Sequence, residues 1–583
     1  MNFKKFFDLT ILFFLFSTIL YNHIFFDSYQ APKLLGILIF LLLFFIFVLF
    51  KNYKINFNIS ILFALLLYIY FSFLSLFSNN TPFYYYSFIF FSPLLFFIPI
   101  FHKINKQKLL FLLNLLLLVA SLYGLYQFTY LNINRPYSFF GNPIFLAEFI
   151  AILFPFSLFY LINKNFILLS ITNIVLSIFT LILCMSRGVI FSFLFAFILF
   201  LFILIKSNKI KLIEKKYFIF VITTIFLLSF FIPGFYKTFF NLITKFKNTI
   251  SAENHSIKDK ALLAKSSFKI FFENPVNGKG PGAIKKYLQL KEASIIKNNS
   301  AFRFINSSYS HNDYIQIIAE TGLIGLLLFL LLIFSVLYNL EKKIIYYDNL
   351  KFIYTICIVF SIFFILIESF FNFPLFVFPT APLFFFFLGL LCSSNFEDNK
   401  NFSISSKLIG ILLILPIMVF LVKDIKKITS NIYLSNAIKQ SYNNIEKSEY
   451  YFKKSDYLDS TNYNNLTNIA IFYFNINSYD KSLVYLKKTL KYFPYSADIY
   501  YNIGLIYEIN QQYEKASSNY KMALLYYPDF ALANLAMYRI QIKLEPQNED
   551  NYIDYLHKAL KTDSNKLLNQ NEFTPLFIKE LTL

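Results

Sequence analysis

Arginine is scarce in this 583-residue chain: Arg135, Arg187, Arg303 and Arg539 stand among 53 basic residues, and the rest are lysine. An arginine kept in such a background marks a position that wants a guanidinium. Cysteine is scarcer still. Cys184, Cys357 and Cys392 lie in or at the edge of apolar runs, which excludes a disulfide framework and makes them packing residues. The five histidines include no pair at helical spacing and there is no cysteine cluster, so neither a metal site nor any other cofactor is expected. A nucleotide-binding loop is missing too. Acidic residues number only 32, leaving a net charge of +21. The lysines nevertheless sit between hydrophobic segments rather than on one soluble face, which argues for membrane topology and against a nucleic-acid partner.

What the chain does contain is apolar surface: 57% of residues are hydrophobic, 21% aromatic, and the mean hydropathy is +0.57. A soluble protein of this size has no use for so much, so an integral membrane protein surrounded by lipid is expected, with room for a soluble appendage. Apolar runs of about 20 residues, the length that crosses a bilayer, fall near 9–27, 34–50, 59–78, 83–101, 109–130, 144–162, 166–184, 188–205, 217–235, 322–340, 351–371, 374–392 and 408–423. That predicts an all-α bundle of 12 or 13 spans. No small-x-small cleavage site follows the first run, which is therefore read as a retained helix. With the N-terminus inside, Lys51, Lys54, residues 102–108, Lys164, residues 206–216 and Lys342-Lys343 fall on the inner face, as the positive-inside rule requires. A long loop, 236–321, then falls outside. So do Arg135, Arg187 and Arg303, against that rule.

Residues 307–330 pass from a polar loop into an apolar span. Ser310 is positioned to cap the helix that follows, and Asp313 to complement its positive end. That leaves His311 at the mouth of a membrane helix with Asn312 beside it, where a neutral imidazole is able to accept a proton near neutral pH. A solvated loop histidine beside a cap is the plainer alternative. Arg187 lies in the turn Ser186-Arg187-Gly188 at the start of a helix, whose free amides and dipole already favour an anion, and a guanidinium there suits a phosphate. Snorkelling to the interface is the alternative. Glu148 and Glu368 are costly polar groups within apolar runs. Either they face a cavity with the arginines, or Glu148 holds Arg135 or Arg187 in an ion pair. Gly278, Gly280 and Gly282 around Pro281 make a turn whose amides form either an anion nest or a close structural contact.

His311-Asn-Asp-Tyr314, followed by Ala319-Glu-Thr-Gly-Leu-Ile-Gly325, resembles the signature of the O-antigen ligase and polymerase superfamily. Arg135 with Gly141-Asn-Pro143, Ser186-Arg-Gly188, Pro275-Val-Asn-Gly-Lys-Gly-Pro-Gly282 and Glu368-Ser-Phe-Phe-Asn-Phe-Pro374 resemble further elements of that family, in family order. Where the family carries an arginine and a tryptophan upstream of Pro275, this chain has Lys260 and Ala264.

The resemblance implies a multi-pass protein of the bacterial cytoplasmic membrane with its active site on the extracytoplasmic face. It would move a glycan from a polyprenyl-diphosphate carrier to a lipid-anchored or protein acceptor. In that picture His311 activates the acceptor hydroxyl. Arg187, Arg303, Arg135 and Lys260 bind the donor diphosphate, supported by Asn312, Asp313, Glu148, Gly280 and Gly282. Polymerase, ligase and protein O-oligosaccharyltransferase share this chemistry. A transporter would instead place polar groups at the membrane midplane, and a third alternative is a membrane anchor for a scaffold.

The scaffold candidate begins where hydropathy falls. The boundary is expected near 428–430, with residues 1–428 a membrane domain and 430–583 a tetratricopeptide-repeat domain. Ile503, Gly504, Tyr507, Ala516, Tyr520, Ala523 and Pro528 recur 34 residues after Ile469, Ala470, Tyr473, Ser482, Leu486, Thr489 and Pro494. Small residues where helices cross and a terminating proline are what stacked helix pairs need. Three or four repeats are expected, offering a face for a protein or glycan partner. An odd number of spans places them outside, whereas Lys423, Lys426 and Lys427 after the last span favour the inside.

Overall fold

The computed structural model describes residues 11–568 apart from 13, 26, 51–53, 78–90, 208–237, 239, 245–254, 298–301, 303, 306, 379, 394–402 and 548–551. Among the described residues nine helices are long and apolar enough to cross a membrane. They are α1 (Ala31–Phe50), α2 (Ile59–Phe77), α3 (Lys106–Thr129), α4 (Pro143–Ile162), α5 (Ile167–Cys184), α6 (Arg187–Lys206), α9 (Asp313–Ile344), α10 (Asn349–Glu368) and α12 (Ser406–Gln440). Between them lie α7 (His255–Glu273) and α8 (Ala283–Ile296) of the long loop, and α11 (Thr380–Ser393).

One of the expected spans is shorter than its apolar run. The run at 374–392 is a 3-10 turn, Pro374–Phe376, followed by the 14-residue α11. At 1.5 Å per residue α11 reaches about 21 Å, short of the ~30 Å hydrocarbon core. The described part of the run at 83–101 is a 3-10 turn, Ser92–Phe97, leading into Ile98–Phe101. These two segments pack on each other, and Gly389 allows it, because a Cβ there would collide with the Phe96 carbonyl. The run at 217–235 lies outside the described residues, and of the first run only the stretch from residue 11 is described. The architecture is all-α save for one short ribbon. Lys54–Asn56 pairs antiparallel with Ser403–Ser405, because the links ahead of α2 and α12 run side by side in extended form.

Helix α4 is the centre of the bundle, with 89% of its span buried. Its Pro155 removes a backbone donor, and polar side chains of α10 reach the carbonyls nearby. Ser361 donates to the Ile152 carbonyl at 2.6 Å and the Cys357 thiol to that of Pro155 at 3.2 Å. At the α3–α4–α5 junction the Asn114 amide donates to the Phe156 carbonyl at 3.2 Å, and its oxygen accepts from Ser157 at 2.7 Å and Asn173 at 3.1 Å. Such buried polar contacts join helices where lipid supplies no hydrophobic drive between them.

Beyond the membrane bundle, four helix pairs form a tetratricopeptide-like solenoid. The tail of α12 pairs with α13 (Ile445–Leu458), α14 (Tyr463–Asn475) with α15 (Tyr479–Tyr492), α16 (Ala497–Ile509) with α17 (Tyr513–Tyr526), and α18 (Ala531–Leu544) with α19 (Ile553–Leu568). The repeat residues do what the 34-residue spacing requires. Ala470, Ser482, Leu486, Ala516, Tyr520 and Ala523 are wholly buried, and a Cβ on Gly504 would lie 2.6 Å from the Tyr520 ring. Arg539, the fourth arginine, has a structural task here: its Nε and Nη2 meet Glu508 at 2.6 and 2.7 Å.

Candidate functional site

The long helix α9 starts with a sharp change of direction. His311 has a left-handed backbone, φ +53°. Asn312 is the N-cap, its Oδ1 accepting from the Ile315 amide at 3.0 Å. Ser310, expected in that role, instead braces the turn ahead of it. Its hydroxyl accepts from the Asn312 amide at 3.3 Å and donates to the Asn312 carbonyl at 2.6 Å. The left-handed residue sets Ser310 too far back to reach the first helical turn. Asp313 does lie in that first turn, but it is fully buried, accepting from Ser369 Oγ at 2.7 Å and from the Leu375 amide at 3.0 Å. It pins the start of α9 to the end of α10.

The expected loop therefore ends at 312, ahead of the apolar run, and the run itself begins at a break. Gly322 adopts φ +67°, ψ −171° inside α9, a conformation open essentially to glycine alone. Across that break the turn Pro275–Gly282 is inserted. The Lys279 and Gly280 amides donate to the Ala319 and Glu320 carbonyls at 3.0 and 2.9 Å, and the Leu323 and Ile324 amides donate to the Pro275 and Val276 carbonyls at 2.9 and 3.3 Å. Two carbonyls and two amides freed by the kink are thus engaged. The Gly282 amide, which opens α8, is taken by the Glu320 carboxylate. In this structure the amides of Gly280 and Gly282 are both occupied within the protein.

Around His311 the ends of four helices and one loop helix converge. Ser186-Arg187-Gly188 begins α6, and a Cβ on Gly188 would lie 3.2 Å from Asn372 Nδ2 and 3.4 Å from Glu368 Oε1. Glu368, the last residue of α10, is fully buried. It accepts from Ser192 of α6 at 2.6 Å and from the Asn372 amide. Lys260 of α7 turns into this cluster, not towards solvent, donating to the Phe371 carbonyl and approaching Asn372 Oδ1 at 3.5 Å. Burial pushes its ammonium below the ordinary lysine value, Glu368 and Glu148 pull it back, and Arg187 pushes it down further. Glu148 of α4 is buried among Glu368, Asp313 and Lys260, with Oε2 lacking a partner.

The His311 ring stands edge-on to Phe373, centroids 4.8 Å apart, and Phe373 stacks on Tyr309 at 4.1 Å. Its Nδ1 is buried and without a hydrogen-bond partner. Burial first, then the Lys260 charge, lower its pKa to about 4, against a smaller opposing effect of Asn372. The imidazole is therefore neutral at physiological pH.

His311, Lys260, Arg187, Glu148 and Asp313 are brought together, then, with Asn312 holding the turn. Arg135 stands apart from the carboxylates. Its Nε donates to the Cys184 carbonyl at 3.0 Å, at the C-terminus of α5 two residues ahead of Ser186, so it buttresses the turn that carries Arg187. Arg303 lies outside the described residues. Asn372, which sequence reasoning leaves out, lies four residues after Glu368 within Glu368–Pro374. The signal was a polar residue repeating at helical spacing at the end of an apolar run. Among the described residues no group of His, Cys, Asp and Glu side chains is arranged to hold a metal ion.

Residues 172–330, from within α5 to the kinked part of α9, match the family model described as O-antigen ligase. Through this segment the chain is similar to the O-antigen ligase family. The match contains Arg187, Lys260, the glycine turn and His311, and it supports the class of membrane glycan ligases and polymerases. No curated protein matches the chain. Loose likenesses exist to two crystal structures of MamA. One has 20% identity, covers 24% of this chain and 81% of that one, and has a TM-score of 0.22. The other has 18% identity, covers 28% and 87%, and has the same score of 0.22. The crystal structure of the APC/C hetero-tetramer Cut9–Hcn1 follows at 11% identity, 85% and 76% coverage and TM-score 0.21. At such scores they settle nothing about this chain.

Proposed function

We propose that the protein transfers a glycan from a polyprenyl-diphosphate carrier to an acceptor hydroxyl on the extracytoplasmic face of a bacterial cytoplasmic membrane. The observation that carries this reading is the neutral His311, its buried Nδ1 unpartnered, set among Lys260 and Arg187 at the mouth of α9. The acceptor oxygen attacks the anomeric carbon while His311 takes its proton. The bond from that carbon to the phosphate oxygen breaks, and the diphosphate leaves with the electron pair. Arg187, with Lys260 and the Arg303 and Arg135 segments, stabilises the charge that grows on the leaving group.

One feature of the site favours this order of events. Lys260 suppresses the basicity of His311 in the empty protein. An arriving diphosphate offsets that positive charge, so the imidazole becomes a better base when the donor is bound. Glu368 and Asp313 hold the helix ends in place through Ser192, Asn372, Ser369 and the Leu375 amide.

The test is transfer by purified protein from a polyprenyl-diphosphate oligosaccharide, with chelator present and nucleotide absent, followed by identification of the product. Wild type is expected to turn over, and His311→Ala to lose about 10²–10⁴-fold in rate, the usual contribution of a general base, with membrane insertion intact. A longer carrier-linked chain would identify a polymerase, and a glycan on a new acceptor a ligase. Normal turnover by His311→Ala would remove the assigned role.

A further inference from the structure

The two ends of the membrane bundle are distinguished by what is tied there. At one end the ribbon joins Lys54–Asn56 to Ser403–Ser405, and α12 begins at the next residue. Its far end passes the loop at 22–30. Asn431 Oδ1 accepts from the Asp27 amide at 3.1 Å, and Lys439 Nζ donates to the His23 carbonyl at 3.0 Å. That loop belongs to the His311 end. Tyr29 lies against Gly141, Lys33 donates to the Phe139 carbonyl at 2.7 Å, and the adjoining Asn142 caps α4, which carries Glu148 into the site. Helix α12 thus crosses from the ribbon end to the His311 end and delivers the repeats there. Lys423, Lys426 and Lys427, which by charge alone favour the opposite side, lie along its crossing and bear only on the level at which it leaves the membrane.

A second set of contacts is independent of α12. Helix α8 of the long loop packs on α17, and its Leu290 joins the apolar core that contains Tyr501, Tyr520 and Tyr526. Tyr287 meets Tyr495 at a ring distance of 5.9 Å, Phe304 stacks on Tyr527 at 4.0 Å, and Lys285 Nζ lies 5.7 Å from the Tyr463 ring. Tyr463 opens α14, Tyr495 stands two residues ahead of α16 and Tyr527 caps the C-terminus of α17, so one edge of the solenoid presents aromatic rings. The long loop covers that edge. On its other side the loop is held to α9 by the glycine turn.

We infer that the tetratricopeptide-like solenoid lies on the same side of the membrane as His311, and that the partner of its tyrosine edge is this chain's own α8. The solenoid then forms a wall of the region through which an acceptor arrives. That last consequence rests on the transferase reading, whereas the sidedness and the docking do not.

The test uses the full chain with Cys184, Cys357 and Cys392 replaced by alanine and single cysteines introduced at exposed positions. Tyr457→Cys (86% exposed) reports the solenoid, Leu131→Cys (48%) the loop beside Arg135, and Tyr346→Cys (86%) the opposite end, between α9 and α10. A membrane-impermeant maleimide applied to sealed cells is expected to treat Tyr457→Cys like Leu131→Cys and unlike Tyr346→Cys. Labelling that follows Tyr346→Cys overturns the sidedness. In the same background the pair Phe304→Cys and Tyr527→Cys is expected to crosslink on mild oxidation. Two cysteines that each react with a small maleimide but do not crosslink overturn the docking. Neither readout needs turnover, so an inactive protein would count against the transferase reading alone.

Discussion

Replacing Lys260 by methionine should make His311 easier to protonate. The imidazole sits at about 4 against an ordinary 6.5, a difference worth about 3 kcal/mol. Burial is the larger cause and the Lys260 charge the second, so the lysine accounts for less than half, on the order of 1 kcal/mol. An energy of that order corresponds to two charges several ångströms apart at an effective dielectric constant between about 20 and that of water. The sign follows from the direction of the shift. A depressed pKa keeps the base neutral down to about 4, so the acid limb of kcat/KM for the wild type falls only below that value. In Lys260→Met the limb should move up by somewhat less than about one pH unit. Lys260→Arg, which restores a positive charge, should leave it in place. The assay is glycan transfer between pH 3.5 and 8 with donor held well below KM. An acid limb in Lys260→Met that coincides with the wild type's would refute the assigned coupling of Lys260 to His311.

Arg187→Lys keeps the charge at the start of α6 but loses the planar fork, and transfer should drop by about 10²-fold with KM for the donor raised, measured in the same assay. Unchanged kinetics would show that Arg187 serves only the helix end. Gly322→Ala should destabilise the protein by about 3 kcal/mol or more, because the backbone there is one that other residues avoid and the added methyl meets the Val276 carbonyl. Thermal unfolding followed in detergent would detect it. A melting point equal to wild type would mean that the inserted turn is not needed to hold α9.

Much of this was legible in the chain before folding was considered. Among the described residues apolar runs located nine helices long enough to cross a membrane, the 34-residue period located the solenoid, and the rarity of arginine pointed to Arg187. His311 fell at a helix mouth as its neighbours implied. The misses have physical causes. Hydropathy counts apolar residues, and a helix buried in protein is as apolar as one facing lipid, so α11 looked like a span. Ser310 has the chemistry of a cap, but the left-handed turn at His311 hands that position to Asn312. The amides of Gly280 and Gly282 suit an anion, and only the kink at Gly322 shows that the broken helix claims one and Glu320 the other. Asp313 looked like a charge complementing a helix end, and is in fact a buried acceptor joining two helices.

Helix α12 has one more consequence. It runs 35 residues as one helix, with Pro416 inside its first half, from the ribbon through the bundle to the first repeat. A helix is a screw, so its length and its angular phase cannot be changed separately. One residue inserted between Lys427 and Asn431 would rotate the solenoid by about 100° and carry it about 1.5 Å outward, turning the tyrosine edge away from α8. Seven residues would nearly restore the phase but raise the repeats by about 10 Å. The stretch between the last lysines of the span and the first repeat is thus a fixed-pitch shaft, and its residue count is as much a specification of the site as any side chain within it.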